Sequence, residues 1–267
     1  MPNTLVVTKG HPFEREPFFA MLERVITTHA LGELTHVEHP AASAVFAPET
    51  LASFDTVVFY DMPGIEFGGD AGPVYTEPRN DFKKNLQLAT ERGVGLVFLH
   101  HAIAGWPTWE DYAELIGGRF CYTPQTLRGQ PVSDSGYRHK VGHVVAVVAE
   151  HPVTAGVDPQ FSMVDELYLS EVFEDSVQPL LRSSHKFSEE GFYSAAKAVV
   201  EGEMFSNAGW SHPPGSNLVG WTREHNASRI VYLQGGDDAQ AWDNSNYQKL
   251  LGNAIRWAGR YSPDPRS

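Results

Sequence analysis

Histidine and aspartate side chains follow several short apolar runs of this sequence, at the points where the runs end. The clearest case is the pair His100-His101, which comes directly after the apolar run Gly95–Leu99. His11, Asp61 and Asp237 stand in similar places after other runs. Ligands of open α/β sheets bind beyond the carboxyl ends of the strands. If the runs are neighbouring strands, we expect these side chains to form a polar site at one edge of the sheet.

The residue types in this set suit acid–base chemistry. Imidazole titrates near neutral pH, so His100 or His101 is predicted to be a general base. Glu166 or Asp165 is predicted to be the catalytic acid or the group that orients the base. Asp165 precedes Glu166 directly, and neighbours on a strand face opposite sides. The two carboxyl groups are therefore not a glycosidase pair facing one substrate.

A divalent metal is an alternative use of the same residues. The chain has 12 histidines, but no His-Glu-x-x-His motif and no Cys-x-x-Cys motif. Ligands would have to come from separate strand ends, and the candidates are His100, His101, His139 and Asp237. We predict no cofactor and keep a divalent metal as an open alternative.

Composition and charge exclude several classes of function. The chain has 267 residues, of which 42% are hydrophobic, and its formal net charge is −13. This acidic balance argues against binding to nucleic acid, and no apolar run is long enough to span a membrane. The single cysteine, Cys121, excludes an internal disulfide and is best interpreted as a small buried hydrophobe. We expect a cytoplasmic globular protein.

The order of apolar and amphipathic segments predicts the fold. Strand-like and helix-like segments alternate through the first hundred residues, and a closing helix spans about 244–260. Strands predicted in the second half are Val141–Ala149, Phe161–Leu169, Pro179–Leu181, Ala195–Val200, Leu218–Trp221 and Arg229–Gln234. Residues 134–139 are predicted to form a polar loop. The pattern indicates a doubly wound, mostly parallel sheet flanked by helices, in a single domain spanning 1–267.

Six segments, in the same order along the chain, resemble the ThuA-like (trehalose-utilisation) family. These are Gly93–His100, Tyr112–Phe120, His151–Gly156, Asp165–Tyr168, Trp221–Glu224 and Ala254–Ala258. The resemblance implies a flavodoxin-like fold of the class I glutamine amidotransferase type. It also implies that the turn at His100 takes the place of the amidotransferase nucleophile elbow, without its cysteine, so no glutaminase activity is expected. A role in the metabolism of disaccharides or oxidised sugars follows from the same resemblance.

The sequence departs from this family pattern at two places. Many ThuA-like proteins have a histidine soon after the Gly-Gly-x-Phe segment, where this chain has Cys121–Pro124. The last strand of the family commonly ends in Leu-Gly-His, whereas here it continues as Gln234–Asp237. Any role that the family gives to those two histidines does not transfer to this chain.

Three hypotheses for function follow. The first is an enzyme that acts on a sugar or sugar derivative, with His100, His101 and Glu166 as catalytic residues. Its substrate would be bound by aromatic and hydrogen-bonding side chains, which are His11, Asp61, Trp106, Tyr137, Arg138, His139, Asp165, Tyr168 and Asp237. The second is a metal-dependent sugar enzyme, and the third is a catalytically silent sugar-binding or interaction module. A homo-oligomer formed through the helix bearing Phe18 and Phe19 is left open.

Overall fold

The computed structural model describes residues 2–68 and 72–261 of the chain. Residues 1, 69–71 and 262–267 lie outside the described part, so the ends of the predicted domain are covered only in part. Within the described residues, no helix is both long and apolar enough to cross a membrane.

A large central sheet organises the molecule. Its nine main strands are β1 (Asn3–Lys9), β2 (Glu33–Glu38), β3 (Thr56–Asp61), β4 (Gly95–Leu99), β5 (Gly136–Val147), β6 (Gln160–Leu169), β7 (Gln178–Ser183), β8 (Leu218–His225) and β9 (Ser228–Leu233). Their spatial order is β6-β5-β7-β8-β9-β4-β3-β1-β2, and the two-residue strand Tyr193–Ser194 pairs with β5.

Most of these strands point in one direction. The pairs β2/β1, β1/β3, β3/β4 and β4/β9 are parallel, and the remaining neighbours are antiparallel. Only β5 and β8 therefore run against the other seven strands. The carboxyl ends of β1, β3, β4, β6 and β9 consequently lie at the same edge of the sheet.

Helices cover both faces of the sheet. The longer ones are α1 (Arg15–Thr28), α2 (Asn80–Arg92), α3 (Glu110–Ile116) and α4 (Ser245–Ala258). Shorter helices span Ala42–Val45, Pro48–Leu51, Ala195–Val199 and Ala239–Trp242, and 3₁₀ turns span His100–Ala104, Pro152–Thr154 and Glu189–Gly191. Small hairpins pair Ile65–Glu66 with Val74–Tyr75 and Gln125–Leu127 with Gln130–Val132, and Gly118–Arg119 pairs with Glu171–Val172.

Successive residues of the central strands point to opposite faces of the sheet, and apolar residues on the two faces form two hydrophobic cores. On β1, Val6 packs on the side of α1 and α4, whereas Leu5 and Val7 pack on the side of α2 and α3. All five residues of β4 are buried, as expected for a strand covered on both faces. The predicted doubly wound, mostly parallel α/β fold is confirmed.

Two local predictions were wrong. Residues 137–139 belong to β5 and do not form a loop, because this part of the strand pairs with β6 and with Tyr193–Ser194. The predicted strand Ala195–Val200 is a short helix, which begins where the Ser194 side chain accepts a hydrogen bond from the Lys197 backbone N–H. The alternation of apolar residues there was outweighed by this N-cap and by three helix-favouring alanines.

One buried carboxylate, Asp134, fixes that short helix to β5. It accepts hydrogen bonds from the Ser194 hydroxyl at 2.6 Å, from the Ala196 backbone N–H at 3.0 Å and from the Trp210 indole at 2.9 Å. These contacts hold the segment around residues 194–210 against the sheet.

The helix face considered for an oligomer is largely part of the core. Phe18 on α1 is fully buried against Tyr60 and Trp242. Phe19 is half-buried and packs on Phe13 and His36. Phe18 is therefore not available to a second copy of the chain, because the fold already uses it.

Candidate functional site

His100 occupies a sharp turn between strand β4 and a 3₁₀ helix. It follows Leu99 directly and has φ of +46°, a left-handed conformation that costs a non-glycine residue free energy. The Tyr232 hydroxyl donates a hydrogen bond to the His100 backbone carbonyl at 3.0 Å, which helps to hold this turn. A strained residue at the strand-to-helix turn is the arrangement that places a reactive side chain at the top of an α/β sheet.

The imidazole of His100 is fully buried, and both of its nitrogens have partners. Nδ1 lies 2.7 Å from the Gln234 backbone carbonyl, and because a carbonyl can only accept, Nδ1 carries the hydrogen. Nε2 lies 3.1 Å from a Glu166 carboxylate oxygen, 2.8 Å from the Tyr168 hydroxyl and 3.4 Å from an Asp237 carboxylate oxygen. We call His100, Glu166, Tyr168 and Asp237 the buried cluster.

Charges in the buried cluster stabilise one another. Burial opposes the charged form of His100, but hydrogen bonds and charge from Asp237 and Glu166 outweigh it and raise its pKa well above the usual value. Burial likewise opposes ionisation of Asp237, yet its hydrogen bond to His100 and the His100 charge lower its pKa to about 2. The cluster is therefore an ion-paired group in which the imidazolium lies between two carboxylates.

Asp165 binds the backbone of two residues that adjoin or belong to the turn carrying Asp237, and that of Glu166. Its carboxylate accepts hydrogen bonds from the backbone N–H groups of Gly236 at 2.7 Å, Asp237 at 3.0 Å and Glu166 at 2.9 Å. Burial nevertheless raises its pKa to about 7, against the opposing effects of His100 and these N–H groups. Gly236 has φ of +112°, and a Cβ there would lie 2.3 Å from the Tyr247 hydroxyl, so the turn that presents Asp237 requires glycine. Asp165 thus positions Asp237.

His101 differs from His100 in its hydrogen bonding and in the direction of its pKa shift. It is buried, neither ring nitrogen has a hydrogen-bond partner, and its ring stacks on His11 with centroids 4.5 Å apart. Burial, with the charges of His11 and His100, lowers the pKa of His101 well below the usual value. Burial also lowers the pKa of His11, chiefly together with the His100 charge. This stacked pair of neutral imidazoles lies beside the buried cluster.

A cavity of about 760 Å³ opens above the buried cluster. Glu166 and Tyr168 line it, and so do His139, Tyr137 and His11. His139 is partly exposed, and its Nδ1 lies 3.3 Å from the Glu166 carboxylate oxygen that does not face His100. Glu166 therefore connects the buried His100 to a histidine that solvent reaches.

Several predicted site residues lie outside this cavity. Asp61 is buried on the other face of β3, where its carboxylate lies 2.9 Å from the His39 ring. Trp106 packs on His39 and Phe82, and the Arg138 guanidinium lies over the Tyr193 ring. None of these three residues lines the cavity: Asp61 is buried elsewhere, and Trp106 and Arg138 are partly exposed outside it.

His101 needs a similar correction. The fold encloses it between His11 and Tyr60, and it does not line the cavity. The sequence placed it beside His100, but the turn directs the two rings to different surroundings. Cys121 is buried as predicted, and burial raises its thiol pKa to about 11, which disfavours the reactive thiolate.

Three members of the buried cluster could hold a metal ion. His100, Glu166 and Asp237 each offer one ligand atom, and these atoms lie within 4.8 Å of one another. The His100 Nδ1–H bound to a backbone carbonyl leaves Nε2 to face the two carboxylates, as in many metal-binding histidines. Of the four candidates named from the sequence, His100 and Asp237 belong to this set. His139 reaches it only through Glu166, and His101 points away.

Sequence reasoning missed two groups of site residues. Gln234 orients His100 through its carbonyl, and its side-chain oxygen accepts the Tyr168 backbone N–H at 3.0 Å. Its position at the end of a strand was the available signal. Apolar residues from distant segments, including Phe120, Tyr122 and Met204, line the cavity, and nothing in their local sequence indicated this.

Comparison with known families identifies the chain. The model of the family described as "ThuA: Trehalose utilisation" matches residues 3–258. The chain belongs to the ThuA family. The match spans nearly the whole chain, and it agrees with the six segments on which the resemblance was based. No curated protein sequence matches this chain.

Solved structures with the same fold include other ThuA-like proteins. A putative ThuA-like protein from Parabacteroides merdae superposes with a TM-score of 0.67 at 15% identity, over 97% of this chain and 90% of that one. A second, from Bacteroides uniformis, has a TM-score of 0.59 at 17% identity, over 96% and 91% of the two chains. A glutamine amidotransferase from Thermotoga maritima has a TM-score of 0.51 at 9% identity, over 97% and 98%. These similarities confirm the amidotransferase-like fold.

Proposed function

We propose that this ThuA family member is an enzyme that acts on a sugar or sugar derivative by proton transfer, with Glu166 as the general base. The observation that carries the proposal is a carboxylate that lines the cavity and is hydrogen-bonded from behind to a buried histidine. The family's description as trehalose utilisation supports a sugar as the substrate.

Each residue of the site has a role in this proposal. Glu166 takes a proton from the substrate, or from a water molecule beside it, onto a carboxylate oxygen. His100 holds that carboxylate in place at 3.1 Å, and the Tyr168 hydroxyl, which lies 2.8 Å from His100 Nε2 and is hydrogen-bonded to Glu166, fixes the same carboxylate from a second side. His139, which is partly exposed, passes the proton from Glu166 to solvent.

Replacement of Glu166 tests this proposal. The first step is to find a substrate by measuring thermal shifts and turnover with a panel of sugars and glycosides, since ligands stabilise the folded state by mass action. With any substrate found, Glu166→Gln should lower turnover roughly 10²- to 10⁴-fold, because the amide cannot accept a proton.

Glu201 provides a matched control for that experiment. It is a second glutamate lining the cavity, but it lies at the mouth and pairs with Lys197 at 3.0 Å. Glu201→Gln should keep turnover within a few-fold of the original value. Equal turnover of the Glu166→Gln variant and the unmodified protein would refute the role of Glu166. Ligand stabilisation without turnover of any ligand would favour a silent binding module.

A metal-dependent sugar enzyme is the second candidate, and the spacing of the three ligand atoms favours it. Neighbouring ligands of a metal at about 2.1 Å are separated by roughly 3.0–3.4 Å, and the His100 nitrogen lies 3.1 Å and 3.4 Å from the two carboxylate oxygens. Zinc, iron or manganese in this position would act as a Lewis acid. Elemental analysis of protein purified without chelators should find about one such ion per chain, and this ion should be lost in Asp237→Asn. Metal-free protein with full turnover would exclude this candidate.

A further inference from the structure

The cavity has a polar floor and a mouth that, apart from Glu201, is mainly apolar. Glu166, His139 and Tyr168 provide polar groups at the floor, beside the buried cluster. Toward the mouth the wall is formed by Phe67, Val200 and Met204, which are 51%, 53% and 55% exposed. Large apolar side chains that remain this exposed around a cavity commonly mark a binding surface for an apolar group.

These apolar residues come from separate parts of the chain. Phe67 belongs to the loop after the strand Ile65–Glu66, whereas Val200 and Met204 follow the short helix Ala195–Val199. Phe205, which is 55% exposed, continues the surface, and its backbone N–H donates to the Tyr137 hydroxyl. The fold therefore brings together apolar side chains that no single amphipathic segment accounts for.

Lysine and arginine are missing from the described lining of this cavity. None of the described residues that line it is lysine or arginine, and two of them, Glu166 and Glu201, are acidic. The nearby Lys197 is bound to Glu201 at 3.0 Å and to Glu203 at 3.3 Å. Phosphate and carboxylate groups are normally bound by arginine, lysine or backbone N–H groups. A sugar phosphate or a sugar acid would therefore enter beside two carboxylates with no lysine or arginine to offset its charge.

The volume of the cavity exceeds what one sugar ring needs. About 760 Å³ is within the range of about 300–1,000 Å³ seen for pockets that hold drug-sized molecules. Since the polar groups suited to a sugar are concentrated at the floor, the remaining space is bounded mainly by apolar side chains.

We propose that the substrate is an uncharged glycoside with an apolar aglycone. Its sugar ring lies at Glu166 and His139, and its aglycone lies against Phe67, Val200 and Met204. The inference rests on the proposed function in one respect, since it places the sugar at the proposed base. It adds a substrate class, and it excludes phosphorylated and acidic sugars.

Calorimetric titration with a series of glucosides tests the inference. The probes are methyl, butyl and hexyl glucoside in both anomeric forms, used below the concentrations at which they form micelles, together with glucose 6-phosphate and gluconate. A fully buried methylene group improves affinity roughly three- to fourfold. Hexyl glucoside has five more methylene groups than methyl glucoside and should therefore bind more tightly. Since the aglycone is only partly enclosed, the expected gain in affinity is roughly tenfold or more, and not the full gain for five buried groups. Both anionic sugars should bind more weakly than methyl glucoside.

A matched pair of valines provides the control. Val200 lines the cavity mouth, whereas Val148 lies outside the cavity and is similarly exposed, at 46%. Val200→Ser should weaken hexyl glucoside binding several-fold and leave methyl glucoside binding unchanged. Val148→Ser should change neither.

The inference is overturned if affinity does not rise with chain length, if the two valine variants behave alike, or if glucose 6-phosphate binds most tightly. These binding measurements do not depend on turnover. A chain-length effect in a protein without turnover would leave the inference standing and reject the proposed enzymatic function. Turnover of sugars without any chain-length effect would reject the inference and leave the proposed enzymatic function standing.

Discussion

Two adjacent histidines at one strand end have opposite surroundings. His100 has hydrogen-bond partners on both ring nitrogens and lies between two carboxylates, which raise its pKa. His101 has no partner on either nitrogen, stacks on another imidazole and has a lowered pKa. Both side chains are buried, so burial alone does not decide the charge of a histidine here. The difference comes from the partners that other strands bring to each ring.

The comparison also shows why adjacent residues need not share a function. The left-handed backbone at His100 turns the chain, so that the His100 ring meets β6 and the turn after β9, while the His101 ring meets Tyr60 on β3. A pattern of two histidines after a strand therefore predicts a site, but it does not tell which of the two belongs to it.

Removing the His100 ring should have the largest effect on stability. His100→Asn keeps a residue type that tolerates positive φ but leaves the Glu166 and Asp237 carboxylates without their cation. Loss of one partner of a buried ion pair costs about 3–5 kcal/mol of the free energy of unfolding. Urea unfolding at pH 7 measures this cost, and the matched control is His101→Asn, which removes no ion pair and should cost less. Equal costs for the two variants would contradict the contrast described above.

A third buried histidine tests whether neutral imidazoles make the fold sensitive to acid. Burial, together with the His185 charge, lowers the pKa of His143 to about 4, and the Ser183 hydroxyl lies 2.9 Å from its Nδ1. Between pH 6.5 and 4 the unfolded chain binds a proton at this residue that the folded chain does not. Stability is therefore fully present above pH 6.5 and falls as the pH is lowered, by up to about 3 kcal/mol for this group.

The variant His143→Gln isolates this contribution, because glutamine can still accept from Ser183 and does not titrate. Urea unfolding from pH 7 to pH 4 should show a shallower loss of stability in the variant than in the unmodified protein. Parallel curves for the two proteins would show that His143 keeps an ordinary pKa in the folded state.

Replacing the His101 ring should have the smallest effect and the opposite sign. His101→Leu exchanges an imidazole with two unpartnered nitrogens for an apolar side chain of similar size. Because a buried polar group without a hydrogen bond is costly, we expect stability to be unchanged or to rise by about 1 kcal/mol. Thermal and urea unfolding measure the change. A loss of more than about 2 kcal/mol would show that His101 has a partner such as a buried water molecule.

The sequence predicted the fold better than it predicted the site. Central strands such as β3 and β4 are continuous apolar runs, and α4 has a clear helical period, so they are recognisable locally. The strand predicted over 195–200 was wrong because the helix that forms there depends on the Ser194 cap and on contacts with the distant Asp134. Local patterns report burial and period, whereas such contacts join residues about sixty positions apart.

For the site, residue type and strand end were sufficient to find the edge of the sheet. They selected His100 and Asp237, which the fold brings together with Glu166, a residue inside β6 that was chosen by its type alone. They were not sufficient to exclude Trp106 and Arg138, whose side chains turn to other partners. The direction of a side chain depends on the backbone angle of its turn and on the face of its strand, and both are settled only when the chain is packed.

The hydrogen bonds of Asp134 make the mouth of the cavity structurally separable from the buried cluster. It holds the segment that carries Val200 and Met204, whereas the buried cluster is built on β4, β6 and the turn after β9. Insertions or substitutions between residues 197 and 206 can thus change the mouth of the cavity while the buried cluster keeps its geometry.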